Sequence, residues 1–213
     1  MSTCFSTDDV RLQQIFSDYF EAMAHLLDQD SSLMAASSWN DNGQRQFVHD
    51  SETLYRSDFF PGLGWMLNKN IWKELEPKLP GAYPFHDGVG MGHFFKQYLE
   101  PIRLNDQLVD WKSKDLTYLF EPNYAAESGA LVSQAMPVSA SNELQVASRV
   151  DGDVRVEYTR QSEFEHLAAT FGVFRELKDG IPRTAYKGVV VFRWHGSKRI
   201  FFVSSDSPFI RDR

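Results

Sequence analysis

The chain has 213 residues, 42% hydrophobic, 14% aromatic and 24% charged, which supplies a packed core and excludes wholesale disorder. At about 100–200 residues per domain, this length allows one large domain or two small ones. Lys and Arg total 22 against 29 Asp and Glu, a formal net charge of −7 with no Lys/Arg-rich run, so nucleic acid or an anionic membrane surface is excluded as the main partner.

Residues 1–9 have neither the basic patch nor the apolar core of a signal peptide. The single cysteine, Cys4, rules out an intrachain disulfide framework and a Cys-based zinc site. After what reads as a short strand end, Cys4 to Ser6, the positions Leu12, Ile15, Phe16, Tyr19, Phe20, Met23, Leu26 and Leu27 recur at three- and four-residue spacing. That spacing predicts an amphipathic helix, with Asp8 or Asp9 where a cap would satisfy the first-turn amides. Leu33 to Ala36 reads as a short buried strand running into the turn signal Trp39-Asn40-Asp41-Asn42-Gly43. Helix, strand and polar loop in succession give an α/β rhythm.

Asp58-Phe59-Phe60-Pro61-Gly62-Leu63-Gly64-Trp65 is aromatic and glycine-broken. Asn68 then caps a predicted short helix bearing Ile71, Trp72 and Leu75, which Pro77 and Pro80 end. Gly88, Gly90 and Gly92 cluster just before Phe94, Phe95, Tyr98 and Leu99, which fall at helical spacing. The stretch from Glu121 to Asp151 is poor in aromatics and rich in Ser, Ala and Asn, which predicts a linker. Beyond it, Val154, Val156 and Tyr158 alternate as a strand, and Ser162 stands at the cap of a helix carrying Phe164, Leu167, Ala168 and Phe171 up to Gly172. Val189 to Trp194 and Lys198 to Val203 predict a hairpin through His195-Gly196-Ser197. The pattern divides the chain at about 119/120, with a small α+β module in residues 120–213. The longest apolar stretches, such as Val189 to Phe192, run to four residues, far short of the ~20 that cross a bilayer, and the whole reads as a soluble globular protein.

Two local groups carry chemistry. Asp8-Asp9 suits a magnesium or manganese ion bridging to a diphosphate, since hard cations take carboxylates plus substrate phosphates; the same pair equally suits a helix cap. His86-Asp87, in a Pro- and Gly-rich loop, has room for a general base and also fits a solvated loop. Phe59, Phe60, Trp65 and Trp72 suit either a core or a sugar-stacking face. There is no Gly-x-Ser-x-Gly and no phosphate-cradling glycine loop.

Longer motifs carry more. Ser38-Trp39-Asn40-Asp41-Asn42-Gly43, Leu54-Tyr55-Arg56-Ser57-Asp58-Phe59-Phe60-Pro61-Gly62-Leu63-Gly64-Trp65 and Trp72-Lys73-Glu74-Leu75-Glu76-Pro77-Lys78 resemble the alpha-1,3-mannosyl-glycoprotein 2-beta-N-acetylglucosaminyltransferases, the N-acetylglucosaminyltransferase I family. The resemblance continues through His93-Phe94-Phe95, Ile102-Arg103-Leu104-Asn105, Gly152 to Tyr158, Ala168 to Val173 and Gly180 to Gly188, nearly the whole chain in order. It implies a Golgi, inverting transferase of the nucleotide-diphosphosugar (GT-A) α/β type. Such an enzyme moves N-acetylglucosamine from UDP-GlcNAc to a mannose of an N-glycoprotein, with manganese on the diphosphate.

The family's Glu-Asp-Asp metal motif falls on Thr7, Asp8 and Asp9. This implies Asp9 as the manganese ligand and Asp8 as a nucleotide-sugar contact, with Thr7 replacing the acid that faces the donor sugar. Leu63 and Gly90 fall at substrate-binding positions, Gly90 in place of a donor-contacting Ser. The family continues after Lys78-Leu79-Pro80-Gly81-Ala82-Tyr83 with a Trp-Asp-Asp-Trp segment holding the catalytic base, whereas this chain passes through Pro84-Phe85-His86-Asp87 to the glycine loop. Depending on the alignment, His86 or Asp87 stands at the base. A strand cysteine that the family pairs with one in that missing stretch is Ala35 here, which fits a joint loss of both partners.

The family also places a membrane anchor and a nucleotide-binding half before the metal motif. The expectation is therefore the later part of a catalytic domain over residues 1–119, with an incomplete GT-A sheet, then a linker and a small module. Two functions follow from this pattern. One is the transferase; the other is a catalytically inactive relative that binds a glycan or glycoprotein.

Overall fold

The computed structural model describes residues 7–60, 64–78, 102, 105, 107–138 and 147–211, with residues 7–15 and 211 described by backbone alone. Helix α1 spans Thr7–Gln29 and buries Tyr19, Ala22, Met23 and Leu26 against Val109, Trp111 and Leu119. Three- and four-residue steps put those helix positions on one face, as the sequence pattern requires. Asp8 and Asp9 lie inside the first turn of α1 rather than before it. Strand β1 (Ala35–Ser37) pairs antiparallel with β2 (Trp65–Leu67). The predicted strand at 33–36 is thus displaced to 35–37 and only half-buried. Helix α2 (Lys69–Leu75) starts where Asn68 accepts a 2.8 Å hydrogen bond from the Asn70 amide, and a 3₁₀ turn through Pro77 ends it.

The stretch expected to be a linker is built otherwise. Residues Glu121–Gln134 form helix α3, and Met136–Val138 form strand β3. Small residues concealed this helix from pattern reading, because they weaken its amphipathic signal while letting it sit close to its neighbours. A Cβ at Gly129 would stand 3.1 Å from the Phe209 ring.

Strands β4 (Val154–Tyr158), β7 (Val189–Trp194) and β8 (Lys198–Ser204) join β3 in a sheet of order β3-β4-β8-β7. The β3–β4 and β4–β8 pairs are parallel, and β7–β8 is the expected antiparallel hairpin. His195 and Gly196 take positive φ at its turn. Between β4 and β8 the chain makes helix α4 (Gln161–Phe171) and the small pair β5 (Leu177–Lys178) and β6 (Ile181–Pro182). The crossover from β4 through α4 to parallel β8 gives α/β character to the part read as α+β.

Helix α4 is not capped by Ser162. The Glu163 carboxylate accepts the Thr159 and Arg160 amides at 2.9 and 3.1 Å, and Gly172 at φ +79 closes the far end.

Side-chain alternation distributes the sheet's apolar residues between two cores. On one face Val154, Val156, Val190, Phe192, Ile200 and Phe202 meet Phe164, Leu167 and Phe171 of α4. The Phe171, Phe192 and Phe202 rings lie edge to face, with centroids 5.2–5.8 Å apart. On the other face Val189, Phe201 and Val203 meet Val132 and Ala135 of the α3 end, with Phe209 from the short helix α5 (Pro208–Arg211). The result is three layers, helix, sheet and helix. No helix among the described residues is long and apolar enough to cross a membrane.

One charge is buried in the second interface. The Arg155 Nη1 donates to the carbonyls of Val132 and Ala135 at 3.1 Å and of Ser133 at 3.3 Å. It thereby satisfies the C-terminal orphans of α3 and opposes the negative end of the helix dipole. Replacing Arg155 with methionine keeps the stem and removes the donors. Leaving those carbonyls unsatisfied is expected to cost about 1–3 kcal/mol. A urea titration reads this, and wild-type stability in R155M would show that water replaces the guanidinium.

Candidate functional site

Asp8 and Asp9, the acids read from the sequence as the nucleotide and metal residues, occupy consecutive positions in the first turn of α1. Leu63, His86, Asp87 and Gly90 lie outside the described residues. Among the described residues no group of three or more His, Cys, Asp or Glu converges to hold a metal ion.

What the structure does describe is how α1 is held. At about 1.5 Å per residue its 23 residues span roughly 34 Å, so its two ends serve separate places. Midway, Tyr19 packs edge-on against Trp111 with centroids 5.6 Å apart and donates from its hydroxyl to the Ser37 carbonyl at 2.6 Å. Burial pushes the Tyr19 phenol well above its ordinary range.

Asp30, just beyond α1, is the anchor at the far end. Its carboxylate accepts Arg56 Nη1 at 2.9 Å and the Glu121 amide at 3.0 Å. Burial alone would raise Asp30, but bonds from Ser32, the Glu121 amide and Arg56 outweigh it and hold the group at about 2. Arg56 also donates to the Leu119 carbonyl at 2.8 Å and Ser32 Oγ at 2.7 Å, and it pairs with Glu121 at 3.1 Å. Glu121 accepts from the Tyr186 hydroxyl at 2.8 Å and pairs with Lys187 at 2.7 Å. Five segments therefore meet at one guanidinium: the α1 end, the 54–58 loop, the 3₁₀ turn before α3, the start of α3 and the loop before β7.

The 39–43 motif closes a second knot. Asn40 Oδ1 accepts the Asn42 amide at 2.9 Å, and a Cβ at Gly43 would sit 2.9 Å from the Asn40 carbonyl, so only glycine fits the turn. Asn42, 3% exposed, donates to Thr184 Oγ1 at 2.8 Å and accepts the Phe174 amide at 2.9 Å. Asp41 accepts the Trp39 indole and Arg183 Nη1, each at 3.2 Å. From the next motif, the Asp58 amide donates to the Ala185 carbonyl at 2.7 Å and its carboxylate accepts the Lys187 amide at 2.6 Å. Phe47 inserts beside Phe192 with ring centroids 5.0 Å apart. The motifs that carried the resemblance thus stitch the N-terminal part onto the three-layer part.

The aromatic stretch is not core. Phe60, Trp65 and Trp72 are each about two-fifths exposed, and Phe59 lies under the Arg183 guanidinium at 4.9 Å. Broken by glycines, the segment presents its rings at the surface beside β2 and α2.

Sequence reasoning missed the Arg56–Asp30–Glu121–Tyr186 cluster. Glu121 and Tyr124 lay in the supposed linker, and only the density of Tyr, Arg and Asp in residues 54–58 hinted at it.

The model of the GNT-I family matches residues 2–87 and 83–211, two pieces that meet at 83–87, where the sequence departs from the family pattern. An Arabidopsis thaliana protein named alpha-1,3-mannosyl-glycoprotein 2-beta-N-acetylglucosaminyltransferase is 51% identical over a 226-residue alignment, covering 94% of this chain and 51% of that protein. The chain thus spans about half the length of the curated relative. Matched almost end to end, and with the matched motifs forming the seam just described, the chain belongs to the GNT-I family.

Proposed function

We propose that the chain acts in N-glycan synthesis as an N-acetylglucosaminyltransferase on a GT-A-type scaffold in the Golgi. It would move N-acetylglucosamine from UDP-GlcNAc to a terminal alpha-1,3-linked mannose of an N-glycoprotein, with inversion. The observation that carries this reading is the 51% identity, over 94% of the chain, to a protein bearing that name.

The donor chemistry of the α1 start fits a hard divalent cation. Asp8 and Asp9 supply carboxylate oxygens, the ligands that manganese and magnesium take. The family's metal motif gives the ion one of the two residues. Asp9 is assigned to it and Asp8 to the nucleotide sugar. The opening amides of a helix also favour a diphosphate. Bound manganese would supply charge neutralisation at the departing diphosphate. Leu63 and Gly90 are assigned to substrate binding, and Asp87, with His86 as second choice, to the proton of the attacking mannose hydroxyl.

Purified chain incubated with UDP-GlcNAc and a mannose-terminated N-glycan, with and without manganese, tests this by glycan mass. The expected result is a gain of one N-acetylhexosamine that depends on the metal and is lost in Asp9→Ala. No gain under any metal condition would overturn the reading.

A further inference from the structure

A cleft of about 390 Å³ opens where the 50–56 loop, helix α3 and the outer face of β7–β8 meet, at the lower end of the roughly 300–1,000 Å³ that small-molecule sites occupy. Tyr55, Tyr118 and Tyr124 contribute rings to its wall, and Glu127 of α3 and the facing pair Arg193 and Arg199 of β7 and β8 contribute charge. Tyr55 remains 43% exposed, near enough to Arg193 for the guanidinium to act on its phenol. Burial raises the phenols of Tyr55, Tyr118 and Tyr124, so all three stay protonated donors at neutral pH.

The charges on the wall decide what it takes. Three arginines, Arg56, Arg193 and Arg199, face three carboxylates, Asp50, Glu52 and Glu127. Two of those guanidiniums already hold acids from outside the wall: Arg56 holds Asp30 and Glu121, and Arg199 holds Asp153 at 2.7 Å. A phosphate or nucleotide diphosphate would meet three carboxylates, with two of the three facing cations already paired. A neutral polyhydroxylated ring fits better, since tyrosine faces stack on its C–H surface while carboxylate and guanidinium bond its hydroxyls. The place also differs from the donor segment. Arg56 lines the cleft and binds Asp30 just past the end of α1, whereas Asp8 and Asp9 begin that helix.

We propose that this cleft is a separate saccharide site that binds a neutral oligosaccharide independently of metal and nucleotide. Its saccharide chemistry rests on the cleft alone; the choice of an N-glycan as the source rests on the transferase reading. The test is titration of the chain with a free mannose-terminated N-glycan oligosaccharide, without UDP or manganese, followed by saturation-transfer NMR. Binding is expected to persist in Asp9→Ala and to weaken about tenfold or more, roughly 1.4 kcal/mol, in Tyr55→Ala and in Glu127→Gln. Both residues are exposed, and the isosteric Glu127→Gln keeps the test valid should Tyr55→Ala unfold. No saccharide binding at millimolar probe, binding unchanged in Glu127→Gln, or displacement of the probe by UDP would each overturn the proposal. Transfer without cleft binding removes only this site, and cleft binding without transfer removes only the transferase reading.

Discussion

Replacing Arg56 with methionine is expected to destabilise the chain by about 3–5 kcal/mol, the loss seen when one partner of a buried ion pair is removed. The guanidinium and Asp30 side chains are only 7% and 10% exposed. Methionine matches the stem but takes one donor from Asp30, which keeps Ser32 and the Glu121 amide, and leaves the Leu119 carbonyl and one side of Glu121 without one. A solvent-exposed pair such as Lys78–Glu74, with both side chains 68% exposed, is worth about 0–1 kcal/mol at most, so Lys78→Met serves as the control. Urea unfolding monitored by tryptophan fluorescence measures both, and a loss below about 1 kcal/mol in Arg56→Met would show the cluster to be hydrated.

The same cluster sets an acid limit. Asp30 sits at about 2 against an ordinary 3.8, a folded value below the unfolded one. Its contribution is therefore complete above about pH 4 and disappears as pH falls through 2. Glu121 is lowered as well: burial opposes the shift, and hydrogen bonds from Lys187 and Tyr186 with the charge of Arg56 overcome it, so its contribution has the same sign. In Arg56→Met the stability curve between pH 5 and 2 should flatten only in part, because Asp30 keeps its bonds from Ser32 and the Glu121 amide, and Glu121 keeps those from Lys187 and Tyr186.

Elements with strong periodicity were legible from the chain alone. The α1 face, the Asn68 cap, the alternation of 154–158 and the hairpin through Gly196 all follow from spacing and turn chemistry. Helix α3 was not legible, because Ala125, Ala126, Ser128, Gly129 and Ala130 weaken its apolar stripe; its helicity comes from packing on β8 and from Arg155 at its end. The parallel partnership of β4 with β8 was equally hidden, since nothing local to either strand specifies a neighbour more than forty residues away. For the site, the motifs were visible but not their roles. Asn42 read as a turn residue and Asp58 as part of an aromatic, glycine-broken stretch, and only the fold shows them reaching Thr184, Phe174 and Lys187 across the seam. Asp8 and Asp9 were visible as a pair, and the structure sets both within the first turn of α1 rather than before it.

On the proposed assignment, Asp87→Asn is expected to lower transfer by about 10²–10⁴-fold, the usual contribution of a general base. As the mannose oxygen bonds to the anomeric carbon and the diphosphate departs, the hydroxyl proton must go to an acceptor. Asparagine keeps the size of the aspartate but has no basic oxygen, so KM for UDP-GlcNAc should stay near the parent value while kcat falls. The neighbouring imidazole is the competitor, and the pH profile separates the two. A carboxylate base, with an ordinary pKa of about 3.9, leaves the rate flat from about pH 5 upward, whereas a histidine base, at about 6.5, gives a rate that climbs through pH 6–7. A flat profile with a large loss in Asp87→Asn and a small one in His86→Gln supports the carboxylate. A limb near 6.5 that only His86→Gln abolishes would move the base by one residue, and unchanged turnover in both variants would remove the 86–87 pair from the mechanism.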